Sequence, residues 1–156
     1  MTEALLIFDA EEIAERDGAR FQLHVDPREF GELGAEFKLA SPVAVTIEFS
    51  VGGSQLLMAC QVSGKWDAPC SRCLAPCAEG LSAAVDETYP IGAEKINAKE
   101  DIRQAILLSM PVKPLCRQDC KGICALCGKN KNQVDCDCAP PRTSPFSKLK
   151  QFKKGK

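Results

Sequence analysis

The 156-residue sequence predicts an α+β protein: a mostly antiparallel β domain with one C-terminal helix, followed by a cysteine-rich segment. Three observations predict this class. Apolar and polar residues alternate through much of the first 90 residues, one stretch near residue 100 has helical periodicity, and six of the ten cysteines lie between residues 116 and 138. The length suits one compact domain with a small appendage.

The strands follow from alternation with a period of two. Residues 20–25 form the first alternating run. Residues 43–63 form two runs separated by Gly52 and Gly53, which predicts one β-hairpin because glycine pairs favour tight turns. A weaker strand covers residues 81–89 and ends at a proline.

Two single residues on these strands receive structural interpretations. Cys60 lies on the apolar side of the hairpin, which predicts a buried thiol, since free cysteine is among the most buried residue types. His24 lies on a polar side and is expected in solvent. As the only histidine, it cannot complete an ordinary histidine-based catalytic set.

One helix is predicted over residues 98–110. Asn97 is a suitable N-cap, with Glu100 three positions later, and prolines at 111 and 114 end the helix. The apolar residues of one helical face are Ile102, Ala105, Ile106 and Met110.

Charge divides the chain at the same point. Residues 1–110 contain nine Lys and Arg against eighteen Asp and Glu, a net charge of −9, whereas residues 111–156 contain eleven against three, a net charge of +8. We therefore expect a β-rich acidic domain, residues 1–110, and a cysteine-rich basic appendage with its tail, residues 111–156. A basic segment of this kind indicates a polyanionic partner.

The N-terminal residues lack the basic start of a signal peptide, and no apolar run approaches the roughly 20 residues that span a bilayer. The sequence thus predicts a cytoplasmic protein with no membrane partner. Because cytosolic thiols stay reduced, its clustered cysteines indicate metal ligands more than disulfides.

The denser cluster is built around Cys124-Ala-Leu-Cys127-Gly128, in which two thiolates two residues apart can bind one tetrahedral Zn²⁺. Gly128 supplies the backbone freedom that such a turn needs. The candidate ligands in this segment are Cys116, Cys120, Cys124, Cys127, Cys136 and Cys138. Spacing leaves open whether the upstream or the downstream pair completes a site. We expect a structural role, because four thiolates leave zinc no open position for water, and zinc can contribute on the order of 10 kcal/mol to folding.

Two other interpretations of this cluster fit less well. Cys120, Cys124 and Cys127 match the cysteine spacing of radical SAM enzymes, but only 29 residues follow, too few for the barrel that encloses such a cluster. A two-zinc, six-thiolate cluster with bridging sulfurs, as in some fungal DNA-binding modules, has a different spacing.

The other cluster contains Cys70 and Cys73, which we interpret as half of a second metal site or as a structural turn joining two strands. A redox pair would need a helix after Cys70, and Pro76 disfavours one. With Cys60 and Cys77 set aside, the remaining eight thiols would fill two four-cysteine sites, one of them bridging the β domain to the appendage.

The basic residues of the appendage are candidates for phosphate contacts, which give salt-dependent affinity that is indifferent to sequence. RNA is at least as suitable a partner as duplex DNA, since phenylalanines lie among the tail lysines. The candidate nucleic-acid-binding residues are Lys121, Lys129, Lys131, Arg142, Lys148, Lys150, Lys153 and Lys154.

These motifs together resemble the YceD family of large ribosomal RNA subunit accumulation proteins. The similarity rests on residues 70–76 (CSRCLAP), on residues 115–132 with Asp119, Gly122, Asn130 and Asn132 around the knuckle, on the last two cysteines, and on Pro141-Arg142. It extends over essentially the whole chain. Where the family usually has proline and leucine, this chain has Ala125 and Lys131.

The resemblance implies a factor in the synthesis, processing or stability of large-subunit ribosomal RNA, with no enzymatic activity and no catalytic residues. The expected partners are that RNA or its precursor, with ribosomal or RNA-processing proteins as further candidates. The alternative is a protein–protein adaptor in ribosome assembly that uses its acidic β domain and in which zinc is purely structural.

Overall fold

The computed structural model describes residues 6–34, 36–40 and 42–139, and it confirms the predicted fold class. Its strands are β1 (Ile7–Asp9), β2 (Ala19–Val25), β3 (Lys38–Leu39), β4 (Val43–Gly52), β5 (Gln55–Pro69), β6 (Pro76–Pro90) and β7 (Lys95–Asn97). Its helical elements are α1 (Ala10–Glu15), a 3₁₀ helix (Pro27–Phe30) and α2 (Lys99–Leu108). Within the described ranges, no helix is both long enough and apolar enough to cross a bilayer.

The main sheet has the strand order β2-β4-β5-β6, and all neighbouring strands are antiparallel. Since β4 pairs with β5 only as far as Ser63, the short β3 takes the same edge beyond it, with Leu39 opposite Trp66. β1 and β7 form a separate two-stranded sheet. β6 pairs with β5 along its whole length, so the tip of the β5–β6 hairpin projects beyond the end of β4.

The predicted hairpin over residues 43–63 is confirmed as β4–β5, with Gly53 at a φ of 62° in the turn. β5 continues six residues further than expected, to Pro69. The inward alternation does persist there, through Trp66 and Ala68, but Gly64 takes one inward position. A glycine carries no apolar side chain, so the periodicity fades in the sequence although the strand continues.

The core lies on the inner face of the main sheet, where α2 packs against β6. Cys60 is 1% exposed among these residues, as predicted, and burial raises the pKa of its thiol to about 12. His24 is exposed, also as predicted. The largest fully buried side chains are Val25, Phe30, Val43, Val45, Ile47, Leu56, Met58, Val62, Trp66, Ile96, Ile102 and Ile106.

α2 confirms the predicted C-terminal helix, although it covers residues 99–108 and not 98–110. The N-cap is Ala98 and not Asn97 as predicted, since Asn97 is the last residue of β7. The Asn97 side-chain oxygen still accepts a hydrogen bond from the Lys99 N–H (3.1 Å), which satisfies one free donor at the helix start. The Tyr89 hydroxyl of β6 donates to the Asp101 carboxylate of α2. This contact ties the helix to the sheet before the chain turns toward the cysteine-rich segment.

The short helix α1 was not expected from the sequence. Its N-cap is Asp9, whose carboxylate accepts hydrogen bonds from the N–H groups of Glu11 and Glu12 at 3.0 and 3.1 Å. Only Ala10 and Ile13 are buried. Two buried apolar residues in six are too few to establish a helical period, so the sequence alone does not predict this helix.

Candidate metal centres

Eight of the ten cysteines gather into two groups of four, and within each group the four sulfur atoms all lie within 4.8 Å of one another. We call Cys70, Cys73, Cys116 and Cys120 the first centre, and Cys124, Cys127, Cys136 and Cys138 the second centre. The downstream pair thus joins the Cys124–Cys127 knuckle, and the upstream pair joins the cysteines of the other cluster. This arrangement agrees with the hypothesis of two four-cysteine sites, and each group could hold a metal ion.

The first centre begins at the tip of the β5–β6 hairpin. The Cys70 N–H donates to the Ala75 carbonyl (2.8 Å), and the Leu74 N–H donates to the Cys70 carbonyl (2.9 Å). Leu74 has a φ of 60°, a left-handed conformation that completes the turn. The loop is therefore a tight turn that presents Cys70 and Cys73 side by side, so both interpretations of this pair, structural turn and half of a four-thiol group, apply together.

Hydrogen bonds at three residues of the β5–β6 hairpin bring the cysteine-rich segment to this turn. The Ser71 N–H donates to the Pro114 carbonyl (2.8 Å). The Glu79 carboxylate of β6 accepts a hydrogen bond from the Leu115 N–H (3.2 Å). The Arg72 guanidinium donates to the carbonyls of Gln118 (3.2 Å) and Cys120 (3.0 Å). These contacts position Cys116 and Cys120 opposite the hairpin tip, although 43 and 50 residues separate them from their nearest partners.

The sulfur positions fit a tetrahedral ion. The Cys70 and Cys120 sulfurs are 3.8 Å apart, and those of Cys73 and Cys116 are 3.6 Å apart. A tetrahedral site with metal–sulfur bonds of about 2.3 Å has sulfur–sulfur edges of about 3.8 Å. Cys70, Cys73 and Cys120 are buried, and Cys116 is exposed. Three of the four cysteines of the first centre are therefore buried in the protein, and only Cys116 is exposed to solvent.

The second centre is built on a small hairpin in which Ile123 pairs with Asn130. The Cys124 N–H donates to the Lys129 carbonyl (2.8 Å), and the Gly128 N–H donates to the Cys124 carbonyl (2.9 Å). Gly128 has a φ of 70°, which confirms the prediction that this position needs glycine. Cys124 is buried, whereas Cys127 and Cys138 are exposed, so this centre lies nearer the surface than the first.

Backbone amides favour the anionic form of thiols in both centres. The N–H groups of Cys116, Arg72 and Cys73 lower the pKa of the Cys70 thiol to about 6, although burial opposes them. In the second centre, the N–H groups of Cys127 and Leu126 lower the pKa of Cys124 to about 6. A hydrogen bond to a thiolate stabilises the charged form, which is also the form that binds metal.

Hydrogen bonding between sulfurs raises the pKa of two thiols in the second centre. Cys138 shares a hydrogen bond with Cys127, which raises the pKa of Cys138 to about 12. Hydrogen bonding with Cys124 likewise raises the pKa of Cys136. Four thiolates this close together repel one another unless a cation neutralises their charge. A metal ion that binds all four sulfurs would supply that charge and would displace the remaining thiol protons.

Arg72 and Asn132 had no role in the sequence-based hypothesis, yet both hold the centres in place. The Asn132 amide donates to the Cys120 sulfur (3.3 Å) and to the Asn130 side-chain oxygen (2.8 Å). Both residues lie within the family motif, but their spacing contains no indication of these contacts. Arg72 and Asn132 form hydrogen bonds with residues that are distant from them in the sequence.

Three of the predicted nucleic-acid-binding residues belong to the second-centre hairpin or adjoin it. Lys121, Lys129 and Lys131 are all exposed, and the Lys131 N–H donates to the Gly122 carbonyl (2.9 Å), so the two sides of the hairpin carry the lysines close together. The other five candidates, Arg142, Lys148, Lys150, Lys153 and Lys154, lie outside the described residues.

The fold and these sites define a class of protein: an antiparallel β domain with one C-terminal helix and a cysteine-rich segment whose thiols could bind metal. The family model described as large ribosomal RNA subunit accumulation protein YceD matches residues 84–153, which include the last six cysteines. Plant proteins named as chloroplastic homologues of that protein also match, in maize with 33% identity over 63 residues, 40% of this chain and 22% of the maize protein. The Arabidopsis thaliana homologue is 34% identical over 50 residues, 32% of this chain and 16% of that protein. Over residues 84–153 the chain is therefore similar to the YceD family.

Longer matches connect the chain to uncharacterized mycobacterial proteins. One from Mycobacterium leprae is 24% identical over 143 residues, 79% of this chain and 66% of that protein. One from Mycobacterium tuberculosis is 28% identical over 141 residues, 77% of this chain and 68% of that protein. The chain thus spans about two thirds of the length of these relatives. No solved structure matches it.

Proposed function

We propose that this protein is a non-enzymatic cytoplasmic factor in the synthesis, processing or stability of large-subunit ribosomal RNA, and that it binds this RNA or its precursor through a zinc-stabilised basic segment. The observation that carries the proposal is the position of three exposed lysines, Lys121, Lys129 and Lys131, on and beside a hairpin whose cysteines gather in four-thiol groups. The description of the family supports the connection to ribosomal RNA.

Zinc is the metal that this ligand set favours. Soft thiolate ligands in tetrahedral groups of four select zinc or iron–sulfur centres. The two sulfur–sulfur distances in the first centre suit a single ion, and the four sulfurs of the second centre also lie within 4.8 Å of one another. We assign one ion to the first centre and one to the second. With all four positions filled by sulfur, such an ion stabilises the local fold and has no open site for a substrate.

The need for such stabilisation follows from the burial of the segment. Between residues 111 and 139, the only described residues that are buried are Pro114, Cys120, Gly122 and Cys124. Large apolar residues there, Val112, Ile123, Leu126 and Val134, are between 40% and 92% exposed. A segment that buries so little apolar surface needs another source of folding free energy, and metal binding can supply it. We propose that residues 111–156 act as a basic appendage to the acidic domain, residues 1–110, with the first centre as the junction.

RNA binding is tested by removing the same number of positive charges at two different places on the protein. Replacing Lys121, Lys129 and Lys131 with glutamine should weaken binding to a large-subunit ribosomal RNA fragment, measured by fluorescence anisotropy, and should make the slope of log affinity against log salt less steep. Removal of residues 142–156 tests the remaining candidate residues in the same assay.

The matched control replaces three exposed lysines of the β domain, Lys38, Lys65 and Lys95, with glutamine. The total charge change is identical, so only the location differs. Equal losses in the two triple variants would mean that binding depends on net charge and not on the hairpin. Unchanged RNA affinity in the hairpin and tail variants, together with capture of a basic ribosomal protein by the acidic domain, would favour the adaptor function instead.

A further inference from the structure

The segment from Cys120 to Asn132 belongs to both centres. Cys120 is part of the first centre, and Cys124 and Cys127, which lie between the two ends of the segment, are part of the second. At the far end of the segment, the Asn132 side-chain nitrogen donates a hydrogen bond to the Cys120 sulfur (3.3 Å). The chain therefore leaves the first centre, forms half of the second, and contacts the first again.

Hydrogen bonds hold both polar atoms of the Asn132 side-chain amide in place. Its oxygen accepts hydrogen bonds from the Lys121 N–H (2.9 Å) and from the Arg117 guanidinium (2.7 Å). Its nitrogen donates to the Asn130 side-chain oxygen (2.8 Å) and to the Cys120 sulfur. With both atoms of the amide engaged, the donor is aimed at the sulfur and has no competing orientation.

The hairpin of the second centre is attached to the first centre at its base as well. The Ile123 N–H donates to the Arg72 carbonyl (3.0 Å), within the turn that carries Cys70 and Cys73. The Lys131 N–H closes the hairpin on the Gly122 carbonyl (2.9 Å), directly before Asn132. An ion that fixes Cys124 and Cys127 therefore also fixes the position of Asn132.

We infer that Asn132 is a positioning residue for the first centre and couples metal binding at the two centres. The inference rests on the proposed metal-binding role of these cysteines. An N–H donor next to a thiolate ligand stabilises its charge, and loss of such a partner typically lowers metal affinity about 10–100-fold. Because the second ion holds this donor in place, each ion raises the affinity of the protein for the other, and the coupling is reciprocal.

The test measures zinc affinity separately at each centre in the full-length protein. Zinc is withdrawn by a competing chelator, and the thiols that lose their metal are alkylated and identified in tryptic peptides. Cys73 and Cys116 lie on different tryptic peptides from Cys127 and Cys138. Asn132→Ala should lower the zinc affinity of the first centre about 10–100-fold. Gln133→Ala is the matched control, since Gln133 is an exposed neighbour of Asn132. The zinc affinity of this variant should equal that of the wild type.

Asn132→Asp provides a second variant that retains the acceptor oxygen and the shape of the side chain. It replaces only the donor, and it places a negative charge next to Cys120, so the first centre should lose at least as much affinity as in the alanine variant. A loss in Asn132→Asp with no loss in Asn132→Ala would reflect charge repulsion alone and would overturn the inference.

Coupling is tested by removing the second centre. Cys127→Ser changes an exposed ligand, so it disturbs the fold least. In the wild-type background, Cys127→Ser should lower the zinc affinity of the first centre. In the Asn132→Ala background, Cys127→Ser should lower that affinity little further, because the contact between Asn132 and the Cys120 sulfur is already lost. Independent, multiplicative losses would refute the coupling. Absence of zinc from both centres of the wild type would instead refute the proposed metal role itself.

Discussion

Gly122 and Gly128 allow a direct test of how closely the second-centre hairpin approaches the turn at Cys70 and Cys73. Both glycines have a positive φ, 72° and 70°, so alanine is strained at either position. They differ in their surroundings. A Cβ on Gly122 would lie 3.0 Å from the Arg72 carbonyl oxygen, whereas a Cβ on Gly128 would meet nothing within 4 Å.

The backbone strain alone should cost roughly 1–2 kcal/mol in each alanine variant. Gly122→Ala must also displace a backbone oxygen, which cannot rotate away as a side chain can, and overpacking of this kind costs about 1–3 kcal/mol more. We therefore expect Gly122→Ala to be less stable than Gly128→Ala by about 1–3 kcal/mol, each kcal/mol lowering Tm by about 2–4 °C in a protein of this size.

The assay is thermal unfolding of both variants at the same free zinc concentration, so that metal binding contributes equally. The first centre should also lose more zinc affinity in Gly122→Ala, because the displaced oxygen belongs to the turn that carries its cysteines. Equal Tm values and equal zinc affinities in the two variants would show that the hairpin does not pack against the turn, and would contradict the geometry on which both proposals depend.

Three further substitutions test individual residues. Arg72→Lys removes the guanidinium that binds the Gln118 and Cys120 carbonyls, so we expect a loss of about 1–3 kcal/mol in the free energy of unfolding, measured by denaturant titration; a neutral result would show that these hydrogen bonds contribute nothing. Cys60→Ala should cost about 1 kcal/mol through lost apolar burial and leave the zinc content at two ions per chain by elemental analysis, a content of one being the contradicting result. Cys77→Ser should also leave the zinc content unchanged, because the Cys77 thiol donates to the Ala68 carbonyl (3.3 Å) and lies outside both four-sulfur groups; a lower zinc content would identify it as a ligand.

Much of the β domain could be predicted because its information is local. The β4–β5 hairpin repeats its apolar pattern every two residues around a glycine turn, and α2 has its apolar residues on one helical face. Prediction failed where local information was weak. α1 contains only two buried residues, and β5 passes through Gly64, where an inward position has no side chain to mark it.

The cysteine clusters show the same division. Their residue types and spacing were sufficient to indicate metal ligands, to separate Cys60 and Cys77 from the remaining eight, and to assign glycine to the turn after Cys127. They could not show which pairs share a centre. Cys70 and Cys120 are 50 residues apart, and no spacing rule relates two thiols across that distance.

By itself, the amino-acid sequence determined the class of fold, the division of charge, and the chemistry available to the chain, because residue type and periodicity act over a few neighbouring residues. Only the tertiary structure decided that β5 and β6 extend together far enough to carry Cys70 and Cys73 to the end of the sheet, and that Arg72 and Asn132 hold the returning segment there. The physical reason is that these contacts join distant parts of the chain, so they exist only once the sheet has folded and the hairpin tip has met the segment that follows α2.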